Sequence, residues 1–324
     1  MVSVGIDAGT KSYGVFIFEE GKGYEFDSEV VKRDPIAFVD FLEEIGFEIA
    51  AGLSGYGLPI KKFSEIDERD LFFMTLNLDK DSSIGLRRVV SLIRERKLEI
   101  YTIPGVIHLR TVPEHRKVNR IDMGTYDKVC SVALSLYKYG LDESFILAEL
   151  GYGFNAFIAV DRGRIVDGIG GSSGFLGYSS ISAIDGELAC LLDVTKKTVF
   201  SGGLKSYFSD KGMDFDAEVF AEWVLKGIHA LRAVIKTDRV VLSGRFAGDV
   251  AKYVKRDFDV EILESRGKAS AEGASIIANG LAGGECREIV ERLDLLNAGG
   301  TIFDYITTDI RKSIRLNNLS GQIC

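Results

Sequence analysis

Short apolar runs alternate with glycine-rich polar turns from the first residues of the chain. Val2 to Ile6 is apolar and stops at Asp7. Tyr13 to Phe18 follows the stretch Ala8-Gly9-Thr10-Lys11-Ser12, and Glu20-Gly21-Lys22-Gly23 separates it from a third run, Tyr24 to Val31. Runs rich in Val, Ile, Phe and Tyr between glycine clusters predict three strands in a meander. Beyond them the apolar period lengthens: helices are predicted over 36–44, after Pro35, and over 85–96, with strands over 48–53 and 99–103. A helix is predicted over 125–139, with Val129, Val132, Ala133 and Leu136 on one stripe.

The opening layout then recurs. Phe145 to Ala148 is apolar and runs into Glu149-Leu150-Gly151-Tyr152-Gly153; Asn155 to Val160 follows, then Asp161-Arg162-Gly163-Arg164, then Ile165 and Val166. At one constant offset Asp7 matches Glu149, Gly9 matches Gly151 and Gly21 matches Gly163, a register that points to duplication. Helices over 216–235, 247–254 and 269–281 alternate with strands over 240–242 and 260–263. Gly283-Gly284 ends the last of these helices, and further helices are predicted over 285–295 and 303–314. Each half reads as a strand meander followed by alternating helices and strands, which implies a mixed sheet flanked by helices, once per half. The expected division is 1–140 and 141–324, with the last helix packing back on the first domain.

A chain of 324 residues suits two domains at ~150 residues each. Glycine is abundant, at 36 residues, and proline scarce, at 4, which favours tight turns and anion loops over a disordered tail. The net charge of −8 argues against a nucleic-acid binder, because a phosphate backbone needs a basic footprint. The cysteines, Cys130, Cys190, Cys286 and Cys324, form no Cys-x-x-Cys pair, and His108, His115 and His229 share no metal-ligand spacing. The N-terminus does not read as a signal peptide, and no apolar stretch reaches the ~18 residues of a membrane span. The expected setting is cytoplasmic, with no membrane partner and with a homodimer left open.

A strand ending in Asp-x-Gly-Thr-x-Ser before a hairpin has a use. Gly9 lets backbone amides approach an anion, Thr10 and Ser12 supply hydroxyls, Lys11 supplies a positive charge, and Asp7 is a hard oxygen ligand suited to Mg²⁺. The second turn offers Glu149 as a facing carboxylate, with open amides near Gly151 and Gly153. Two such turns can hold a metal-bound polyphosphate.

Asp7-Ala8-Gly9-Thr10-Lys11-Ser12 resembles the first phosphate motif of the superfamily that joins acetate and sugar kinases, actin and the heat-shock chaperones. Glu149-Leu150-Gly151-Tyr152-Gly153 is similar to the second, in the acetate kinase form His-Leu-Gly-Asn-Gly. Asp167-Gly168-Ile169-Gly170-Gly171 matches the aspartate and glycine turn that follows there. Leu242-Ser243-Gly244-Arg245 resembles the adenosine loop, and Ala271-Glu272-Gly273-Ala274 the helix that closes over adenine. The whole pattern also looks like a prokaryotic family described as predicted butyrate kinases. The chain departs from the pattern at Glu149, where the superfamily has Asp or His, and at Arg245, where it has glycine. The resemblance implies two duplicated actin-like (ribonuclease H-like) α/β domains with an ATP cleft between them. It implies ATP and Mg²⁺ as cofactors, with Asp7 and Glu149 at the metal. Gly9, Thr10, Lys11, Ser12, Gly151, Tyr152, Gly153 and Asn155 would lie at the phosphates, and Gly244, Arg245 and Gly273 at the nucleoside.

The connecting segment 115–128 lies at the cleft in that superfamily, where a carboxylate acts as base. Asp122 is the first candidate and Asp127 the second; Arg116 and Arg120 could clamp a phosphoryl group or an acid. Asp122 would otherwise be a helix cap and the arginines a solvated turn. The loop Ser54-Gly55-Tyr56-Gly57, beyond a strand end, is a candidate acceptor site, with Lys61 or Lys62 nearby. Ser201-Gly202-Gly203 is a further nucleotide-side candidate. The expected function is an ATP-dependent kinase acting on a small acceptor, by resemblance a short carboxylic acid such as butyrate. The alternative is a nucleotide-switched ATPase or binding protein of the same fold, without a small-molecule acceptor.

Overall fold

A computed structural model of the chain describes residues 1–9, 11–76 and 84–314. It divides into two compact units. The first comprises Met1–Ile121, Thr125–Leu141 and the chain from Ser265 onward; the second comprises Asp122–Gly124 and Asp142–Glu264.

The first unit is built on β1 (Ser3–Ala8), β2 (Ser12–Ile17), β3 (Lys22–Asp27), β4 (Ile49–Gly52) and β5 (Ile100–Tyr101), in the order β3-β2-β1-β4-β5. The β1–β2 and β2–β3 pairs are antiparallel, and β1–β4 and β4–β5 are parallel. Burial follows position. Central β1 is buried along almost its whole length, whereas edge strand β3 alternates exposed and half-buried residues. Among the described residues α1 (Ser28–Arg33), α2 (Pro35–Ile45), α3 (Glu68–Thr75) and α4 (Ile84–Glu95) lie between these strands, and α5 (Glu114–Lys117) and α6 (Tyr126–Tyr139) follow β5.

The second unit repeats the plan with β6 (Phe145–Leu150), β7 (Asn155–Asp161), β8 (Arg164–Ile169), β9 (Arg239–Ser243) and β10 (Asp259–Ile262), in the order β10-β9-β6-β7-β8. Its hairpins are again antiparallel and its β6–β9 and β9–β10 pairs parallel. Strand by strand this is the first sheet over again, the duplication expected from the register of Asp7 with Glu149. The unit carries α7 (Gly186–Leu191), α8 (Lys196–Val199), α9 (Leu204–Asp210), α10 (Ala217–Arg232) and α11 (Ala247–Val254). Asp216 caps α10 by accepting from the Glu218 and Val219 amides, and Phe220, Val224, Ile228 and Leu231 bury one stripe of it. Phe157, Phe220 and Phe246 are buried in the core of this unit.

Several expectations change. The third strand stops at Asp27, not Val31, because the Asp27 carboxylate accepts from the Glu29 and Val30 amides and starts α1. Helix α3 was not foreseen; Asp67 and Asp70 form a reciprocal capping box at its start. The final helices are shorter than expected: α13 is Arg287–Arg292 and α14 is Thr308–Ser313.

Helix α12 (Ala269–Leu281) was expected with the second half, yet it packs in the first unit on β1, β4, β2 and α6. The reason is steric. A Cβ on Gly5 of β1 would meet Ala271 O at 2.0 Å, and one on Gly273 would meet Cys130 O of α6 at 1.9 Å. Backbone lies against backbone, so α12 is buried nearly all round although its residues are small. No helix among the described residues is long and apolar enough to cross a membrane.

Candidate active site

In the first unit the site grows from the end of β1. Asp7 is buried, and both of its carboxylate oxygens are engaged: Oδ1 accepts from the Tyr126 hydroxyl at 2.8 Å, and Oδ2 is 2.5 Å from Lys268 Nζ. The Tyr126 hydroxyl also accepts from the Ala8 amide at 3.1 Å. Burial and the Asp7 charge push the Tyr126 phenol well above its ordinary range, and Tyr13, for the same two reasons, up to about 12. Both phenols stay neutral, and Tyr126 is the one that donates to the carboxylate.

The turn after Asp7 closes on itself. Gly9 N donates to Ser12 O at 3.0 Å, and Ser12 Oγ donates to Glu25. Lys268 Nζ donates to the same Ser12 carbonyl at 2.9 Å. Lys11 is exposed, and its carbonyl accepts from the Ser28 amide. Thr10 lies outside the described residues. Asp127, in the first turn of α6, is 2.6 Å from Lys128 Nζ and accepts from the Thr125 hydroxyl. Burial would raise the Asp127 carboxyl, but Lys128, Thr125 and, more weakly, Lys268 outweigh it and hold it below the usual range.

In the second unit the corresponding turn makes the same closure. Gly151 N donates to Phe154 O at 3.0 Å, and Glu149 is half-buried on β6. Tyr152 is held edge-on by Tyr178 at 5.4 Å. Two cations address it: Lys205 Nζ donates to the Tyr152 hydroxyl at 3.0 Å, and the Arg245 guanidinium lies 5.9 Å from the ring centre. Gly244 adopts φ +88, and a Cβ there would meet Leu150 O at 2.6 Å, so the β9–α11 turn lies against the end of β6. Gly151–Gly153 and Gly244–Arg245 are thereby brought together. The 177–181 segment bridges them to Gly203: Ser179 N donates to Tyr152 O, Ser180 N to Gly153 O, and Gly203 N to Ser179 O. Asn155 is fully buried; its Nδ2 donates to Leu176 O, while Oδ1 has no partner among the described residues.

The remaining candidates sit elsewhere. Asp122 is buried in the second unit, where its carboxylate accepts from Gly124 N, Ser172 N and Ser172 Oγ and ties the chain to the 170–173 turn. Around α5, Arg116 is half-buried and Arg120 exposed, whereas Lys117 points inward to Leu109 O and Tyr305. Ser54 is buried between Gly52 O and Ile103 N. Gly55 and Gly57, at φ +58 and +99, fold the loop onto α3 and the 104–105 turn; the Tyr56 amide donates to Met74 O. Downstream, Pro59 and Lys61 rim a pocket of about 360 Å³ in the first unit that also has Asp67, Arg69, Asp70 and Thr301 in its wall. Gly273 belongs to the first unit, and its contact with Cys130 accounts for it.

Residues 5–308 match the family described as "Protein of unknown function (DUF1464)". The chain belongs to that family. No curated protein matches it in sequence. Among solved structures it is similar to a propionate kinase from Francisella tularensis subsp. tularensis: 12% identity and a TM-score of 0.57, covering 85% of this chain and 98% of that one. It is also similar to an acetate kinase from Entamoeba histolytica: 13% identity and a TM-score of 0.52, covering 79% of this chain and 87% of that one. The likeness establishes the fold: two five-stranded mixed sheets flanked by helices, as in the actin-like kinases.

Sequence reasoning missed two residues that the fold delivers, Lys268 to Asp7 and Lys205 to Tyr152. Lys268 precedes α12 and Lys205 lies in α9, both far along the chain from the turns they serve. No motif marked them; only the packing of their helices does. For Mg²⁺ the donors fit a nucleotide-borne ion. Among the described residues no three His, Cys, Asp or Glu side chains cluster, and Asp7 is one hard carboxylate at an anion-sized turn. Mg²⁺ characteristically takes one or two carboxylates, with water and substrate phosphates completing its shell.

Proposed function

We propose that this chain is an ATP-dependent phosphotransferase that acts on a small carboxylic acid. The observation that carries the reading is the pair of equivalent hairpins. Each sits on the central strand of its own sheet, in the fold of acetate and propionate kinases, and each presents an acid followed by glycine at the same register.

In the first unit Asp7 would hold the nucleotide's Mg²⁺, directly or through water, and the 9–12 turn with Lys11 would face the phosphates. Mg²⁺ would supply neutralisation of the phosphate charge. In the second unit Tyr152, Arg245 and Lys205 form a cation-and-ring platform suited to a nucleotide. The tie of Asp122 to Ser172 favours a positioning role for it over that of a base. A carboxylate acceptor is already ionised, so its transfer needs orientation and charge neutralisation more than proton removal. The acceptor is assigned to the 54–61 side of the first unit, where the pocket of about 360 Å³ suits a small molecule and Arg69 suits a carboxylate, Lys61 being paired with Asp70.

The deciding experiment measures ADP formation with acetate, propionate, butyrate and a panel of sugars. Acid-dependent ADP and an acyl phosphate trapped by hydroxylamine support the reading. ATP hydrolysis indifferent to every acceptor but stimulated by a protein partner would move the chain to the nucleotide-switched class.

A further inference from the structure

The feature left over from the expected machinery is a lysine lying in a trough made by two glycines. Without a Cβ on Gly14, the Lys268 side chain passes over β2; a Cβ there would be 2.9 Å from Lys268 Cβ and 3.1 Å from its Cδ. Without one on Gly9, the ammonium reaches the turn; a Cβ there would be 2.2 Å from Nζ. The ammonium ends between two oxygens, Asp7 Oδ2 at 2.5 Å and Ser12 O at 2.9 Å. A carboxylate and a backbone carbonyl converging on one positive charge are the donors a hard divalent ion takes.

The position is also one that a lysine does not otherwise favour. Lys268 is the N-cap of a 13-residue helix, where the macrodipole disfavours a cation and where its side chain makes no capping bond. The buried carboxylate of Asp7 offsets that cost, and the buried carboxylate in turn needs a counter-charge. Tyr126 donates to Asp7 but stays neutral, so it cannot supply that charge.

We propose that Lys268 is a resident counter-ion for Asp7: a positioning residue that holds the ionised carboxylate in place before substrate arrives and keeps free divalent cations out, so that metal reaches this turn only with a nucleotide. On nucleotide entry the ammonium would exchange the carboxylate for a phosphate oxygen, a short swing of a side chain that is 26% exposed. The inference rests on the phosphotransferase reading for the identity of that ligand. The Lys268–Asp7 pairing itself does not.

The test uses Mg²⁺ alone, with melting temperature and titration calorimetry as readouts and no turnover. Wild-type protein should show no Mg²⁺-dependent rise in Tm, and Lys268→Arg should behave like it. Lys268→Met should gain Mg²⁺ affinity by about tenfold or more, with Tm rising by about 3 °C when Mg²⁺ stands about tenfold above Kd. The double variant Lys268→Met, Asp7→Asn should lose that gain. Absence of any Mg²⁺ response in a folded Lys268→Met protein overturns the proposal, as does a Lys268→Arg protein that responds like Lys268→Met. Should Lys268→Met fail to fold, the wild-type arm decides: a Mg²⁺-dependent rise in wild-type Tm that Asp7→Asn removes also overturns it. A protein that passes these tests yet binds no ATP keeps the counter-ion and loses the kinase reading, so the two failures are distinguishable.

Discussion

The turns after β1 and β6 occupy the same place in two copies of one sheet, yet different side chains serve them. In the first a buried aspartate is matched by Lys268 and by a tyrosine that stays protonated. In the second a half-buried glutamate ends the strand, and two cations address the turn, Lys205 at the hydroxyl of Tyr152 and Arg245 toward its ring. Duplicated strand topology therefore fixes where a ligand turn stands but not what it offers. Side chains brought in by helices distant in sequence decide that, α12 for one turn and α9 for the other. On the proposed reading the first turn would manage a metal-bearing anion, and the second would hold an anion or ring by direct contact.

The largest expected effect breaks the first turn. Asp7→Asn should lower kcat/KM by about 10³-fold, equivalent to roughly 4 kcal/mol of transition-state stabilisation; retained turnover would remove Asp7 from the mechanism. Next comes the frame beneath it. Gly273→Ala drives a Cβ against the Cys130 carbonyl and should cost about 3 kcal/mol by denaturant titration. Gly227→Ala in the second unit drives a Cβ against the buried Phe157 ring, a side chain rather than backbone, and should cost less; equal costs would show that the two frames are not packed differently.

A third test separates the units by acid. Burial lowers His108, in the first unit, from 6.5 to about 4. The folded state thus keeps the imidazole neutral while the unfolded chain takes a proton below pH 6.5. Its contribution is present above 6.5 and is lost as pH falls from 6.5 toward 4, by about 3 kcal/mol at most. His108→Leu should flatten that limb. Trp223, the single tryptophan, lies in the second unit, so its fluorescence should lag the loss of helical circular dichroism. The smallest effect tests the second turn. Arg245→Ala and Lys205→Ala should each raise the KM for ATP by about tenfold. Melting temperature should hold in both, and unchanged KM in both would leave the platform without a ligand.

Much of the frame was legible in the chain. The helices over 247–254 and 269–281 fall where α11 and α12 lie, since their apolar periods are strong and bounded by turn residues. The equivalence of Asp7 with Glu149 emerged because strands leave a period of two between glycines that must stay small. Other features were not legible. A third strand that ends in an aspartate looks the same whether that aspartate continues the strand or caps a helix, so α1 was hidden behind Asp27. The roles foreseen for Gly9, Ser12 and Gly273 rested on motif; the structure adds that Ser12 turns to Glu25, that Gly9 makes room for an ammonium, and that Gly273 makes room for Cys130.

By itself the sequence determined the two strand meanders, most of the longer helices and the duplicated acid–glycine register, because these depend on local periodicity and on backbone freedom at single residues. Only the tertiary structure decided that α12 returns to the first sheet, and with it that Lys268 meets Asp7. An ion pair between residues so far apart is written in no local pattern; it exists because Gly5, Gly14 and Gly273 let a helix lie close enough for one side chain to cross.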